Sequence, residues 1–376
     1  MYNMKANNPF PVTGYHGPEY FCDREREAAA MIDALQNGRN LTLISPRRMG
    51  KTGLIQHVFY QLKRQKPEIT TLYMDIFPTQ NLCEFVQFFA STVLEKLDST
   101  PQKVMKKVGK FIRSFRPLFT VDEFTGMPKV TVDIAPAHEE ASLKEIFACL
   151  QSSGKRYYIA IDEFQQMAEY PEKSVEALLR SYIQFLPNVN FIFAGSKQHV
   201  MHEMFLSAKR PFYQSTQIVT IDKIDRNEYY GFASGFFRGK RELDRETFSL
   251  IYDEFDGHTW YIQAILNRLY GNGKKPDTAL VKKVIADIIA ESTYTFENLL
   301  AAYSSVAVRV LKAIAKERRV KEINSGDFIA RYSLKAASSV NTALKKLIDK
   351  ELVYKTPSGY IVYDRFMAIW LRQQPY

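Results

Sequence analysis

Cysteine and tryptophan are scarce in this chain of 376 residues, with three and two copies. Cys22, Cys83 and Cys149 lie far apart, without the close spacing of a structural zinc site or the even count of a disulfide framework. Such a set suits a reducing compartment, and a cytoplasmic location is expected. Histidine is also sparse, with six copies. His199, His202 and Glu203 stand on helical spacing but lack further partners for a metal. No stretch approaches the ~18 uninterrupted apolar residues of a membrane span, and Met1-Tyr2-Asn3-Met4-Lys5 lacks the apolar region of a secretory signal. No membrane partner is expected. Internal repeats and low-complexity segments are missing too.

What is present points to a multi-unit globular chain. A hydrophobic fraction of 46% supports well-filled cores, and the length suggests two or three units rather than one. The most informative stretch is Ser45-Pro46-Arg47-Arg48-Met49-Gly50-Lys51-Thr52. It follows the apolar run Leu41-Thr42-Leu43-Ile44 and precedes a helical pattern that opens at Gly53. A strand, a tight loop and a helix beginning Gly-Lys-Thr is the context of a phosphate-binding loop, where backbone N–H groups converge on an anion at the positive end of a helix. Gly50 would let the backbone approach the phosphates, Lys51 would neutralise the β and γ oxygens, and Thr52 would offer its hydroxyl to Mg²⁺. Ser45 stands where the usual pattern has its first glycine.

Tyr157-Tyr158-Ile159-Ala160-Ile161-Asp162-Glu163 reads as a buried strand ending in two carboxylates. The C-terminal strand ends are where open α/β sheets place ligands. Asp162 would hold Mg²⁺ through water and Glu163 would orient and deprotonate an attacking water. The bland alternative is an acidic turn with Asp162 capping a helix. Asn190-Phe191-Ile192-Phe193-Ala194-Gly195-Ser196 is a further apolar strand, and Ser196 at its end would sense the γ-phosphate or simply close a Gly-Ser turn. Arg210, in Lys209-Arg210-Pro211-Phe212-Tyr213, could reach the γ-phosphate in cis or in a neighbouring subunit, or be an ordinary ion-paired arginine.

Taken together, these motifs resemble the archaeal-type ATPase branch of the STAND-class, AAA-like ATPases. The resemblance also includes Tyr20-Phe21-Cys22-Asp23-Arg24-Glu25-Arg26-Glu27, similar to that family's F-x-G-R-E-x-E segment, and Gly257-His258-Thr259-Trp260-Tyr261. It covers nearly the whole chain. It implies that Arg24 and His258 join the phosphate loop, Ser45 to Gly53, in binding ATP, although a lone histidine such as His258 is more often structural. Asp23 and Thr259 depart from the family pattern, which has Gly and Pro there.

The fold class expected is α/β: a P-loop NTPase with a doubly wound parallel sheet as its AAA-like core, a helical lid and a C-terminal winged-helix domain. Residues 1–19 would form an extended arm and 20–221 the core, with a β-hairpin at about 115–135 turning at Thr125-Gly126. Residues 222–300 would form the lid and 301–376 the winged helix-turn-helix. Within the core, residues 101–113 read as a basic helix with Lys103, Lys106, Lys107, Lys110 and Arg113. Leu82 to Leu97 reads as a helix that turns Phe85, Phe88, Phe89, Val93 and Leu97 inward. In the winged helix, the third helix would expose Ser339, Thr342, Lys345 and Lys346.

The net charge is +10, and residues 301–376 hold fourteen Lys and Arg against six Asp and Glu. A basic module on a nearly neutral body is the footprint of nucleic-acid contact, although winged helices also dock proteins and charge runs often only solubilise. The expected function is an ATP-binding and ATP-hydrolysing switch that couples nucleotide state to a winged helix contacting DNA. The alternative is a nucleotide-locked assembly scaffold with negligible turnover, binding a protein partner or its own kind.

Overall fold

The computed structural model describes residues 6–97, 113–121, 128–135 and 137–376. Lys103, Lys106, Lys107 and Lys110 of the expected basic helix, and the Thr125-Gly126 turn, lie outside the described residues. The chain divides into two compact units. Unit 1 comprises Pro11–Tyr229, and unit 2 comprises Asn7–Phe10 with Tyr230–Tyr376.

Unit 1 is built on a five-stranded parallel sheet. Its strands are β1 (Leu41–Ile44), β2 (Thr70–Asp75), β5 (Tyr157–Asp162), β6 (Val189–Gly195) and β7 (Gln217–Thr220), in the spatial order β2-β5-β6-β1-β7. Between β2 and β5 comes an antiparallel hairpin, β3 (Phe115–Val121) and β4 (Pro128–Ile134). Helices α1 (Glu25–Gln36), α2 (Lys51–Gln65), α3 (Leu82–Leu97), α4 (Glu139–Ser152), α5 (Val175–Ile183) and α6 (Gln198–Leu206) complete the unit. α7 (Arg226–Phe236) spans the boundary between the units.

Strand alternation splits the core in two, because successive side chains point to opposite sheet faces. Tyr157, Ile159, Ile161, Phe191 and Phe193 join one cluster with α3, α4 and the hairpin. Tyr158, Ala160, Ile192 and Ala194 join the other, with α1 and α2. Near-continuous apolar strands are what a sheet covered on both faces requires. Each fully buried Ile or Phe contributes roughly 1.5–3 kcal/mol of transfer free energy.

The inward face of α3 differs from expectation at one position. Phe85, Phe89, Val93 and Leu97 are buried, but Phe88 is exposed. The buried stripe runs instead through Leu82, Val86, Ala90 and Leu94, and 3.6 residues per turn carry position 88 to the stripe's edge.

Unit 2 contains α8 (Arg245–Glu254), α9 (Thr259–Asn272) and the long α10 (Thr278–Ala301). The expected winged helix follows as α11 (Ser305–Lys316), α12 (Gly326–Arg331), α13 (Ala337–Asp349) and an antiparallel wing, β8 (Val353–Thr356) with β9 (Gly359–Val362). Ser304 and Ser325 cap α11 and α12, each hydroxyl accepting a backbone N–H three residues on. A last helix, α14 (Arg365–Gln373), capped by Asp364, was not anticipated from the sequence. It buries Phe366, Trp370 and Leu371. Part of the arm also belongs to this unit. Phe10 is fully buried against Phe232, Phe236, Phe237 and Tyr270; the Asn8 side chain donates to the Asn267 carbonyl at 2.9 Å, and the Asn267 side chain donates to the Phe10 carbonyl at 2.8 Å. Among the described residues, no helix is long and apolar enough to cross a membrane.

Candidate functional site

Parallel pairing aligns the C-terminal ends of the strands, so the loop after β1 meets the ends of β5 and β6. Ile44 pairs with Gly195, and Asp75 with Asp162. The Ser45 N–H donates to the Gly195 carbonyl at 3.4 Å. Gly50 then turns the chain at φ 94°, a left-handed conformation natural to glycine, and α2 begins at Lys51.

Lys51 is 6% exposed, and its Nζ donates to the Ser45 carbonyl at 3.4 Å across the loop. Burial pushes its pKa below the ordinary lysine value, while Asp162 and Glu163 pull it back up. Thr52 Oγ1 donates to Asp162 Oδ2 at 2.8 Å, and Tyr73 from β2 donates to the same oxygen at 2.8 Å. A hydroxyl and a carboxylate in contact beside a buried ammonium form a hard oxygen donor set that fits Mg²⁺ held through water.

A second group of contacts centres on Glu163. This residue sits just past β5 at φ 54°, a left-handed conformation that costs a non-glycine residue on the order of 1 kcal/mol or more. Its Oε2 accepts from Ser196 Oγ at 2.7 Å and from Gln165 Nε2 at 2.5 Å. Arg47 Nε donates to Ser196 Oγ at 3.2 Å, and its guanidinium lies over the Phe77 ring, 5.6 Å from the centroid. The close packing requires Gly195, since a Cβ there would lie 2.5 Å from Gln165 Oε1 and from Met201 Sδ.

The structure therefore brings Ser45, Arg47, Gly50, Lys51, Thr52, Asp162, Glu163 and Ser196 to one edge of the sheet. Pro46 and Gly53 are half-buried, Arg48 is exposed at φ 67°, and Met49 is buried in the α1–α2 core. Arg24 is 4% exposed, donating to Glu27 at 2.9 Å and to the Asp222 carbonyl at 2.6 Å, so it ties the start of α1 to the chain beyond β7. Asp23 takes φ 56°, the left-handed conformation a glycine would adopt at that position, and aspartate tolerates it better than most residues.

Two expected site residues contact other groups. Arg210 donates to Glu176 at 2.5 Å and lies 3.8 Å from Glu203. His258 belongs to unit 2, where its Nε2 faces Arg365 Nη2 at 3.0 Å and the Tyr354 hydroxyl at 3.4 Å. Tyr73 and Gln165 were not singled out as site residues from the sequence. Their roles emerge only when β2 pairs with β5 and β5 with β6, and no local pattern announces that order.

Comparison with known proteins agrees with this geometry. Residues 21–265 match a family described as an ATPase domain predominantly from Archaea, and residues 294–373 match a probable winged helix domain. No curated protein matches the chain. Among solved structures, a Walker-type ATPase of Pyrococcus abyssi is similar at 18% identity and a TM-score of 0.68, covering 97% of this chain and 99% of its own. The ORC2 protein of Aeropyrum pernix, solved as ADPNP–ADP complexes, is similar at 17% identity and a TM-score of 0.63, covering 98% and 96%. The Aeropyrum pernix ORC1 protein in complex with DNA is similar at 13% identity and a TM-score of 0.55, covering 97% and 96%. At such identities the likeness speaks for the fold.

Proposed function

The chain belongs to the family of ATPase domains found predominantly in Archaea, and from that premise we propose that it is a Mg²⁺-dependent ATP switch whose winged helix contacts DNA. The observation that carries the nucleotide half is the meeting of Lys51, Thr52–Asp162 and Ser196–Glu163 at one sheet edge. Lys51 would neutralise the β and γ oxygens of ATP, and the backbone of the loop would donate to them. Thr52 and Asp162 would hold Mg²⁺, which when bound draws charge off the phosphates. Glu163 would take the proton of the attacking water. Ser196 and Gln165 fix its carboxylate by donating to one oxygen, Oε2, and the other would take the proton. The Aeropyrum relative solved with ADPNP and ADP supports this ligand class.

The DNA half rests on the winged helix. Thr342, Lys345 and Lys346 on α13 and Lys355 in the wing are exposed, and the relative solved with DNA supports the partner class. A second reading, a nucleotide-locked scaffold with negligible turnover, is favoured by one observation. Arg210, the candidate finger, is engaged by Glu176. A neighbouring subunit's site is then the place where a released Arg210 would act, which would make turnover depend on self-association.

The deciding experiment measures ATP affinity and turnover, with and without duplex DNA, for the wild type and Glu163→Gln. We expect Glu163→Gln to keep ATP bound and slow hydrolysis by roughly a hundredfold or more. We also expect DNA to stimulate the wild type. Wild-type turnover by Glu163→Gln would remove the residue as base. Retained ADP with no DNA effect would select the scaffold.

A further inference from the structure

Unit 2 holds a cavity of about 220 Å³, none of whose lining residues belongs to the phosphate loop, walled by the end of α8, α11, β9 and α14. Four guanidinium groups, Arg318, Arg319, Arg365 and Arg372, line it together with Glu254 and Asp256. Each carboxylate is shared by two arginines. Glu254 pairs with Arg318 at 2.9 Å and with Arg372, while Asp256 pairs with Arg319 at 3.2 Å and Arg365 at 3.5 Å.

The sign of the wall is positive. Asp253 adds a third carboxylate to the lining, so guanidiniums still outnumber carboxylates. Each of these contacts uses one terminal nitrogen of an arginine, whereas a guanidinium carries five donors in a planar fork. Arg365 is 7% exposed, and its Nε has no hydrogen-bond partner. A buried donor left without an acceptor is costly, and it marks a place where an acceptor is due. Arg372 is largely buried as well. Burial holds its pKa below the ordinary arginine value, Glu254 opposes this, and Arg318 and Arg365 add to it.

We infer that this cavity is a second anion site, taking a small phosphate-bearing molecule whose oxygens bridge Arg365, Arg372, Arg318 and Arg319. Planar, bidentate recognition of phosphate oxygens is what arginine does better than lysine. The volume suits a phosphate or pyrophosphate group with little more attached. Such a ligand would compete with Glu254 and Asp256 for their arginines, loosening the hold of the α8 end on the winged helix within unit 2. The inference does not rest on ATP binding at the phosphate loop.

The test uses the full chain and inorganic pyrophosphate in metal-free, low-salt buffer, followed by calorimetry. Lys51→Ala removes the phosphate loop as a competing site, and this variant should bind one pyrophosphate. Adding Arg318→Gln and Arg319→Gln, both at exposed side chains, should weaken that binding at least tenfold. In the protein with Lys51 intact, the same two glutamines should leave ATP affinity unchanged, which confirms that the chain is folded. Absence of pyrophosphate binding to Lys51→Ala, or equal affinity with and without the glutamines, would overturn the site.

Discussion

The charged cluster of unit 1 gathers carboxylates around a single buried ammonium, whereas that of unit 2 gathers guanidiniums around shared carboxylates. The difference reflects how each is built. In unit 1 the groups sit on strand ends and a loop locked by a parallel sheet, so their positions follow from backbone pairing. In unit 2 they sit on helix ends and long side chains, so their positions follow from the ion pairs themselves. The first cluster is fixed by the strand pairing of its backbone, and the second is held by side-chain contacts that a ligand could replace.

The sharpest way to break the first cluster is to remove its ammonium. Lys51→Ala should lower ATP affinity by about a thousandfold, on the order of 4 kcal/mol, because a buried charge contact to the phosphates is lost with nothing to replace it. Unit 2 should be untouched. Equilibrium titration with ATP checks this, and near wild-type affinity would show that the phosphates bind elsewhere.

Gly195→Ala comes next, because it disturbs the packing behind Glu163 without removing any polar group. The added methyl would collide with Gln165 and Met201, both buried. Overpacking of this kind costs roughly 1–3 kcal/mol. We expect that loss in chemical denaturation, together with slower ATP turnover as Gln165 and Ser196 shift from Glu163. Full turnover with full stability would mean that the Gln165–Glu163–Ser196 arrangement is not needed.

In unit 2 the matching change is Glu254→Gln, which leaves Arg318 and Arg372 facing each other with no anion between them. Truncating the charge of a half-buried shared partner should cost about 1–2 kcal/mol, less than a fully buried pair would because solvent screens the exposed Arg318. The loss should shrink as salt is raised, which the Gly195→Ala loss should not. Equal salt dependence of the two would erase the contrast between a packed and an electrostatic cluster.

These contrasts also explain what could be read from the sequence. The meeting of the loop of residues 45–52, the acidic strand end and Ser196 was legible because each lies in a local pattern at a strand end, and a parallel sheet brings strand ends together. The winged helix was legible for a similar reason: Ser325, Val340, Leu344 and Leu347 mark a cap and a face within a few residues. Tyr73 was not legible, since its bond to Asp162 depends on which strand β2 pairs with. The ion pair of Arg210 was not legible for the same reason, because Glu176 approaches it from a helix 34 residues away. The cluster of unit 2 left no local trace either. Glu254 and Arg372 are 118 residues apart, and nothing in their neighbourhoods announces the pairing. The inward placing of Phe88 on α3 failed on angle alone.

The smallest effect is expected where this chain departs from the usual loop pattern, at Ser45. Its side chain is fully buried, and Oγ donates only to the Pro46 carbonyl, at 3.1 Å. The contacts that shape the loop use its backbone: the N–H to Gly195 and the carbonyl to Lys51. Because Ser45 does not adopt a positive φ, glycine is allowed there but is not required. Ser45→Gly therefore gives up one weak hydrogen bond and gains backbone entropy in the unfolded chain, each about 0.5–1 kcal/mol. Stability should fall by roughly 1–2 kcal/mol, while ATP affinity stays within about threefold of wild type, a shift of less than ~0.7 kcal/mol. Denaturation and ATP titration on the same preparation separate the two. A tenfold loss of affinity at unchanged stability would show that the hydroxyl reaches the nucleotide, and the serine would then be part of the site rather than a tolerated substitute for glycine.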